Sequence, residues 1–302
     1  MFWPFLLLIV FFIFLELRHR KTTYYRVTHI PYFRMRCNLG RYGEYLTYWN
    51  LRQHEKEGAK FLFNLYIPKG ENSTTEIDVL MISPKGLFVY ESKNYSGWIF
   101  GSEHQSKWYQ TLPQGHKRCH KESFYNPIMQ NRTHIQHLKV LLGEAIPMHS
   151  VITFSDRCTL KNIQVANSDI HVINRKDVMN VTTTISSNTN NALSDAQIQG
   201  IYDRLLPYTQ VDSDVRDRHI AEIEKRIHIE SSVPTQTAAP AHPSKEIPVK
   251  QMSCQRAQEV ASLRCPRCGG KLVLRTAKKG SNAGNRFYGC SNFPKCRYIR
   301  SI

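Results

Sequence analysis

Carboxylates are scarce in this chain of 302 residues: 24 Asp and Glu stand against 41 Lys and Arg, a formal charge of +17. A shortage on that scale turns the surface toward polyanions, either nucleic acid or an anionic membrane face, without choosing between them. It is complete at the C-terminal end, where Ala261 to Ile302 hold ten Lys or Arg and no acid. The N-terminal apolar run, MFWPFLLLIVFFIFLEL, has no basic residue before it and no small-residue cleavage site after it. That order is the reverse of a cleaved signal peptide and argues against one. No internal repeat is present, which sets aside solenoids and propellers. Cys37, Cys119, Cys158 and Cys254 lack metal-ligand spacing and are expected as unpaired thiols.

What is present suffices for packed cores, with 41% hydrophobic and 11% aromatic residues. The length allows about two domains. Residues 1–17 fall within the roughly 17 to 25 residues of a membrane span if Glu16 sits at the interface. Arg18, His19, Arg20 and Lys21 follow at once and would keep the body on the cytoplasmic side. The expectation is a single-pass anchor in the inner (cytoplasmic) membrane with the globular part facing the cytoplasm. A basic connector (18–37), a globular body (38–228), a Pro-rich linker (229–261) and a small Cys-rich module (262–302) follow.

Within the body, residues 40–67 read as a helix and then a strand. Glu76–Ile82 and Leu87–Lys93 read as strands joined by a Ser-Pro-Lys-Gly turn, and residues 94–123 as a looser region. Asn126 caps a helix with Pro127 at its first position and Gly143 at its end. Strands at Ser150–Phe154 and Ile170–Ile173 and a helix from the Ser194–Gln197 capping box come next. A charged helix near Val215–His228 closes the body.

Four of the eight cysteines stand as Cys265-x2-Cys268 and Cys290-x5-Cys296. Two close pairs about twenty residues apart suit a tetrahedral thiolate zinc site. Some forty residues bury little core, so the metal would supply the folding free energy. The cytoplasmic topology argues against the alternative of two disulfides. Arg264, Arg267, Lys271, Arg275, Arg286, Lys295 and Arg297 could neutralise phosphates, and Phe287, Tyr288, Phe293 and Tyr298 could stack on bases. Some of these rings must also serve as the module's own core. The stretch CPRCGGKLVLR…NRFYGCSNFPKCRYIR resembles the four-cysteine zinc ribbons at the C-termini of bacterial type IA topoisomerases. The resemblance implies binding of single-stranded DNA.

The stretch TEIDVLMISPKGLFVYESKNY places Asp78, Glu91 and Lys93 in two strongly apolar strands. Burying carboxylates there is costly unless a cation or hydrogen bonds compensate. If the strands pair around Pro84–Lys85, Asp78 falls near Glu91, and Glu91 and Lys93 share a face. Two carboxylates can hold Mg²⁺ through oxygen, while a lysine orients or deprotonates water beside a phosphate. The bland alternative is a buried Lys–carboxylate cluster without chemistry.

GEYLTYWNL (43–51), TEIDVLMISPKGLFVYESKNYSGWIFG (75–101) and FYNPIMQNRTHIQHLKVLL (124–142) together resemble the nuclease-related domain (NERD) family over about residues 40–145. The resemblance implies an α/β, restriction-endonuclease-like fold of the PD-(D/E)xK type. Asp78 and Glu91 would then bind Mg or Mn, Lys93 would be the catalytic lysine, Glu44 an auxiliary acid and Gln130 a contact to metal water or phosphate. Asn94 is expected only to turn the strand end, and His134 and His137 to be ordinary helix residues. The leading expectation is a membrane-anchored, Mg-dependent deoxyribonuclease whose ribbon presents DNA, with structural Zn. The alternative is a non-catalytic DNA-binding or tethering protein at the inner membrane. A weaker third reading makes the basic regions binders of the membrane surface. Restriction-like nucleases often pair to cut two strands, which leaves a homodimer open.

Overall fold

The computed structural model describes residues 3–70, 73–114, 118–212 and 214–221, and then 267–268, 272–276, 286–292, 294–296 and 298–301. It separates into two compact units: Met1–Leu112 with His120–Thr237, and Pro113–Cys119 with Ala238–Ile302.

The first helix, α1 (Trp3–Arg20), carries its apolar side chains from Leu6 to Phe14 in the open. Glu16, Arg18 and Arg20 all fall within it, leaving only Trp3 to Leu15 uncharged. At 1.5 Å per residue that stretch is about 20 Å long, against a hydrocarbon core of about 30 Å. No helix among the described residues is long and apolar enough to cross a membrane, so the expected transmembrane anchor is not found. Glu16 has a structural task instead. One oxygen takes the Arg20 Nε–H at 3.0 Å and the other takes the Tyr32 backbone N–H at 2.8 Å.

The expected connector is likewise part of the core. It forms α2 (Thr23–Thr28) and α3 (Tyr32–Cys37), which bury Tyr24, Val27 and Met35. The Tyr24 ring lies 4.8 Å from that of Phe63. A linker would expose these aromatics; burying them is the stronger drive.

α4 (Leu39–Leu51) starts at Asn38, whose side chain accepts the Arg41 N–H. A 3₁₀ turn leads to β1 (Lys60–Pro68), β2 (Thr74–Ser83) and β3 (Gly86–Lys93). These strands join β7 (Met148–Phe154) and β9 (Ile170–Asn174) in a mixed sheet of order β1-β2-β3-β7-β9. The first three are antiparallel and the last two run parallel to β3. The β2–β3 turn needs glycine at Gly86, where φ is +109° and a Cβ would lie 2.3 Å from the Pro147 carbonyl oxygen. Helix α5 (Pro127–Leu142) begins at Asn126, with Pro127 in its first turn and Gly143 at its end, as the sequence predicts.

Residues 94–123 are not loose. They form β4 (Gly97–Ser102), β5 (Lys107–Gln114) and the start of β6 (Arg118–Tyr125). With β8 (Cys158–Gln164) these build a second sheet, ordered β6-β5-β4-β8. Its core is Trp108, fully buried and stacked on Phe154 at 6.1 Å. Gly101 makes room for that indole, because a Cβ there would meet its ring at 2.2 Å. Helix α6 (Val178–Asn188) was also unexpected, whereas α7 (Asp195–Leu205) has the predicted Ser194–Gln197 capping box. Residues 214–221 are helical. The rest of the closing helix and the Pro-rich linker lie outside the described residues. The C-terminal module is an antiparallel sheet of β10 (Leu272–Thr276), β11 (Arg286–Cys290) and β12 (Ile299–Ser301). Cys119 is disulfide-bonded, against the expectation of an unpaired thiol, while Cys37 and Cys158 are free.

Candidate active site and zinc ribbon

The β2–β3 ladder ends at the pair Val79–Tyr90, so the next step places Asp78 opposite Glu91. Here the strands part: β2 continues against β1, and β3 against β7. The Asp78 carboxylate takes up the backbone group this frees, accepting the Ser92 N–H at 2.7 Å. The expected meeting of Asp78 and Glu91 is therefore a consequence of strand register.

Glu91 is almost fully buried. Its Oε1 accepts from Lys93 Nζ at 2.5 Å, and its Oε2 lies 3.1 Å from His134 Nε2. Lys93 also donates to Gln130 Oε1 at 3.1 Å. Gln130 and His134 are four apart on α5 and project from one face of it, one holding the lysine and the other the carboxylate. Gln130 thus contacts Lys93 rather than standing free. Asn94 bonds the Leu39 carbonyl at 2.6 Å through its amide, tying the strand end to the start of α4.

Glu44 is buried on α4, as a site residue would be, but forms no hydrogen bond to Asp78, Glu91 or Lys93. Its Oε2 accepts from the Asn64 amide at 2.7 Å. Asn64 interrupts the β1–β2 register between Phe63–Val79 and Leu65–Ile77, with a left-handed φ of 49°. Asparagine tolerates that conformation, and here it aims an amide at a buried carboxylate. Gly43 lets α4 approach: a Cβ there would sit 2.9 Å from that of Asn94. Behind β3, Thr47 of α4 reaches Ser92 at 3.3 Å and Thr153 of β7 at 3.4 Å, fixing the helix to β3 and β7.

The electrostatics divide the acids. Burial and the negative charges of Glu91 and Glu44 raise the Asp78 carboxyl well above its usual range. Burial would also raise Glu91, but the Lys93 charge and the His134 hydrogen bond outweigh it and hold Glu91 below its usual range. Burial would lower Lys93, yet Glu91 and Asp78 keep its ammonium charged beyond the ordinary lysine range. Glu44 is pushed up to about 7 by burial, against the opposing Asn64 hydrogen bond.

The raised Glu44 carboxyl makes stability depend on pH. The folded state binds that proton more tightly than the unfolded chain, so its contribution is full below 4.5 and lost as pH rises toward about 7. The wild-type denaturation midpoint is expected to fall across that window, and Glu44→Gln to flatten the fall. Urea titrations in chelator at several pH values measure it, and equal slopes in both proteins would refute the assignment.

The donor set suits a hard divalent cation. Mg²⁺ is held through one or two carboxylates while keeping several waters, and a cation beside Asp78 would relieve the repulsion that raises it. The acids do not converge further: among the described residues, the one set of three ligand side chains whose donor atoms lie within 4.8 Å is Cys268, Cys290 and Cys296.

Those cysteines form the second centre. Cys268 and Cys290 bring their sulfurs to 3.4 Å, near the roughly 3.8 Å edge of a tetrahedron with Zn–S of about 2.3 Å. The Asn292 N–H points at Cys290 Sγ at 3.4 Å, and Tyr288 and Tyr298 pack against Cys290 and Cys296. Those two rings are half-buried and support the thiolates. Arg267 and Lys295 are exposed. Cys265, Arg264, Lys271, Phe293 and Arg297, and the side chains of Arg275, Arg286 and Phe287, lie outside the described residues.

Hairpin, helix and ribbon together define a mixed α/β protein with a nuclease-like core and a separate structural zinc module. The Nuclease-related domain model matches residues 39–155, and the Topoisomerase DNA binding C4 zinc finger model matches residues 263–302. An uncharacterized protein of Bacillus anthracis is 30% identical over 198 residues, which cover 66% of this chain and 87% of that protein. The chain belongs to the nuclease-related domain (NERD) family. DNA topoisomerase 1 of Methanocaldococcus jannaschii is 40% identical over 57 residues, 19% of this chain and 6% of that enzyme. DNA topoisomerase 1 of Archaeoglobus fulgidus is 54% identical over 35 residues, 12% of this chain and 5% of that enzyme. The similarity to topoisomerases thus concerns a small fraction of their length. No solved structure matches the chain significantly.

Proposed function

We propose that the chain is a metal-dependent deoxyribonuclease of the restriction-endonuclease-like, PD-(D/E)xK type, whose zinc ribbon binds DNA. The observation that carries the reading is the meeting of Asp78, Glu91 and Lys93 where β2 and β3 part, with Gln130 holding the lysine. Asp78 and Glu91 would hold Mg²⁺ or Mn²⁺, which when bound supplies Lewis acidity and a more acidic water. Lys93, kept charged by Glu91 and Asp78, screens the phosphate and positions the attacking water. Gln130 restricts Lys93 to that position, and Ser92 fixes the orientation of Asp78. Glu44 stands back as an auxiliary acid, oriented by Asn64.

The experiment incubates the full-length chain with circular single-stranded and supercoiled DNA in Mg²⁺, Mn²⁺ or chelator, alongside Glu91→Gln. Metal-dependent cutting lost in the variant supports the reading. Tight DNA binding without cutting under every metal would replace it with the tethering alternative.

The reading includes a membrane location. The exposed apolar side chains of α1, followed by Arg18, Arg20 and Lys21, support contact of that helix with an anionic bilayer. Co-flotation of the chain with anionic liposomes, lost on deleting residues 3–15, is the expected result; a full-length chain that stays with the soluble fraction would rule the location out, and flotation unchanged by the deletion would remove α1 as its cause.

A further inference from the structure

We propose that His134 is a positioning residue that sets the Glu91 carboxylate for a divalent cation, with Thr75 as its anchor. The inference rests on the nuclease reading and goes past it, to a residue that reads as an ordinary helix residue in the sequence.

His134 is 2% exposed, and both ring nitrogens are engaged. Nδ1 lies 2.7 Å from Thr75 Oγ1 and Nε2 lies 3.1 Å from Glu91 Oε2. When the Thr75 hydroxyl donates to Nδ1, the neutral ring carries its proton on Nε2 and donates it to Glu91. The partner hydroxyl thereby selects the tautomer that serves the carboxylate.

The carboxylate needs that second hold. A Glu side chain offers about four lone-pair directions, and Lys93 takes one at Oε1. Held by Lys93 alone, the group could turn about its terminal torsion, which is soft. The hydrogen bond at Oε2 stops that rotation and fixes the remaining directions. The platform is itself rigid: Asn131, between Gln130 and His134 on α5, donates to the Val89 carbonyl and to Ser150 Oγ, both at 2.9 Å. One helix therefore registers three adjacent groups against β3 and β7. Partners of this kind, which bond a ligand and not the metal, are worth about 10- to 100-fold in metal affinity.

The test titrates Mn²⁺ into the zinc-loaded, desalted full-length chain in detergent and follows free Mn²⁺ by electron paramagnetic resonance. His134→Leu is expected to weaken binding about 10- to 100-fold. His134→Gln, whose amide N–H reaches the same carboxylate oxygen, restores most of that loss. Thr75→Val, nearly isosteric, gives a smaller loss by freeing the ring. Unfolding midpoints in chelator accompany each variant, and if His134→Leu fails to fold, Thr75→Val with His134→Gln carries the test. Wild-type affinity in folded His134→Leu or Thr75→Val overturns the inference, as does His134→Gln binding no better than His134→Leu. A wild-type chain that binds no Mn²⁺ in its body would overturn the nuclease reading, and this inference with it.

Discussion

Glu91→Gln is expected to slow metal-dependent cleavage about a thousandfold, the rate equivalent of roughly 4 kcal/mol of lost transition-state stabilisation. The amide keeps the shape of the carboxylate. Its oxygen can still accept from Lys93, which would otherwise lose its 2.5 Å partner. What it loses is the negative charge that a hard cation needs. Glutamine is the informative choice because alanine would strip a partner from a buried ion pair, at a cost of about 3–5 kcal/mol. Two opposing effects then keep the fold near wild-type stability. Lys93 keeps Gln130 and the field of Asp78 but loses a charged neighbour. Asp78 is relieved of the repulsion that, with burial, raises its carboxyl. Single-turnover cleavage with a melting curve separates chemistry from stability. Cleavage near the wild-type rate in a folded Glu91→Gln protein would remove Glu91 from the reaction.

The centre of this site was legible because it follows from strand register. Once the two apolar strands are joined by a tight turn, Asp78 must oppose Glu91, and Glu91 and Lys93 must share a face. Its surroundings were not. The partner of His134 lies 43 residues away in the chain, so a search for ligands at nearby spacing passes over it. Asn64 did leave a signal: an asparagine in the middle of KFLFNLYIP is a poor strand residue, and it marks the break in the β1–β2 ladder. Residues 94–123 misled for another reason. In KWYQTLPQ the buried Trp108 stands among polar residues, one of which, Gln110, is buried beside it, so the stretch lacks the run of apolar residues that marked β2 and β3. The N-terminal helix misled by composition, since Glu16 is spent on Arg20 and Tyr32 within the fold.

Cys290→Ser is expected to abolish the ribbon's fold and weaken DNA binding about tenfold or more, while leaving metal-dependent cleavage of short oligonucleotides by the body intact. Cys290 is 1% exposed, and its sulfur touches that of Cys268 and the Asn292 N–H. Apart from Cys290 and Cys296, the module's described core consists of two half-buried rings, Tyr288 and Tyr298. A module of some forty residues can bury little apolar surface against its chain entropy, and bound zinc would supply the difference. Losing one thiolate removes a charged ligand that serine, with its high pKa, does not replace at neutral pH. The DNA effect then follows from position: Arg267 and Lys295, both exposed, border Cys268 and Cys296, and neutralising phosphates needs them held on one surface. Each phosphate that the variant no longer neutralises should lower the slope of log affinity against log salt by about one. Zinc content, salt-dependent binding to single-stranded DNA and cleavage of short oligonucleotides, measured on the same preparation, decide it. A zinc-free Cys290→Ser chain with unchanged affinity and salt slope would move DNA binding from the ribbon to the body.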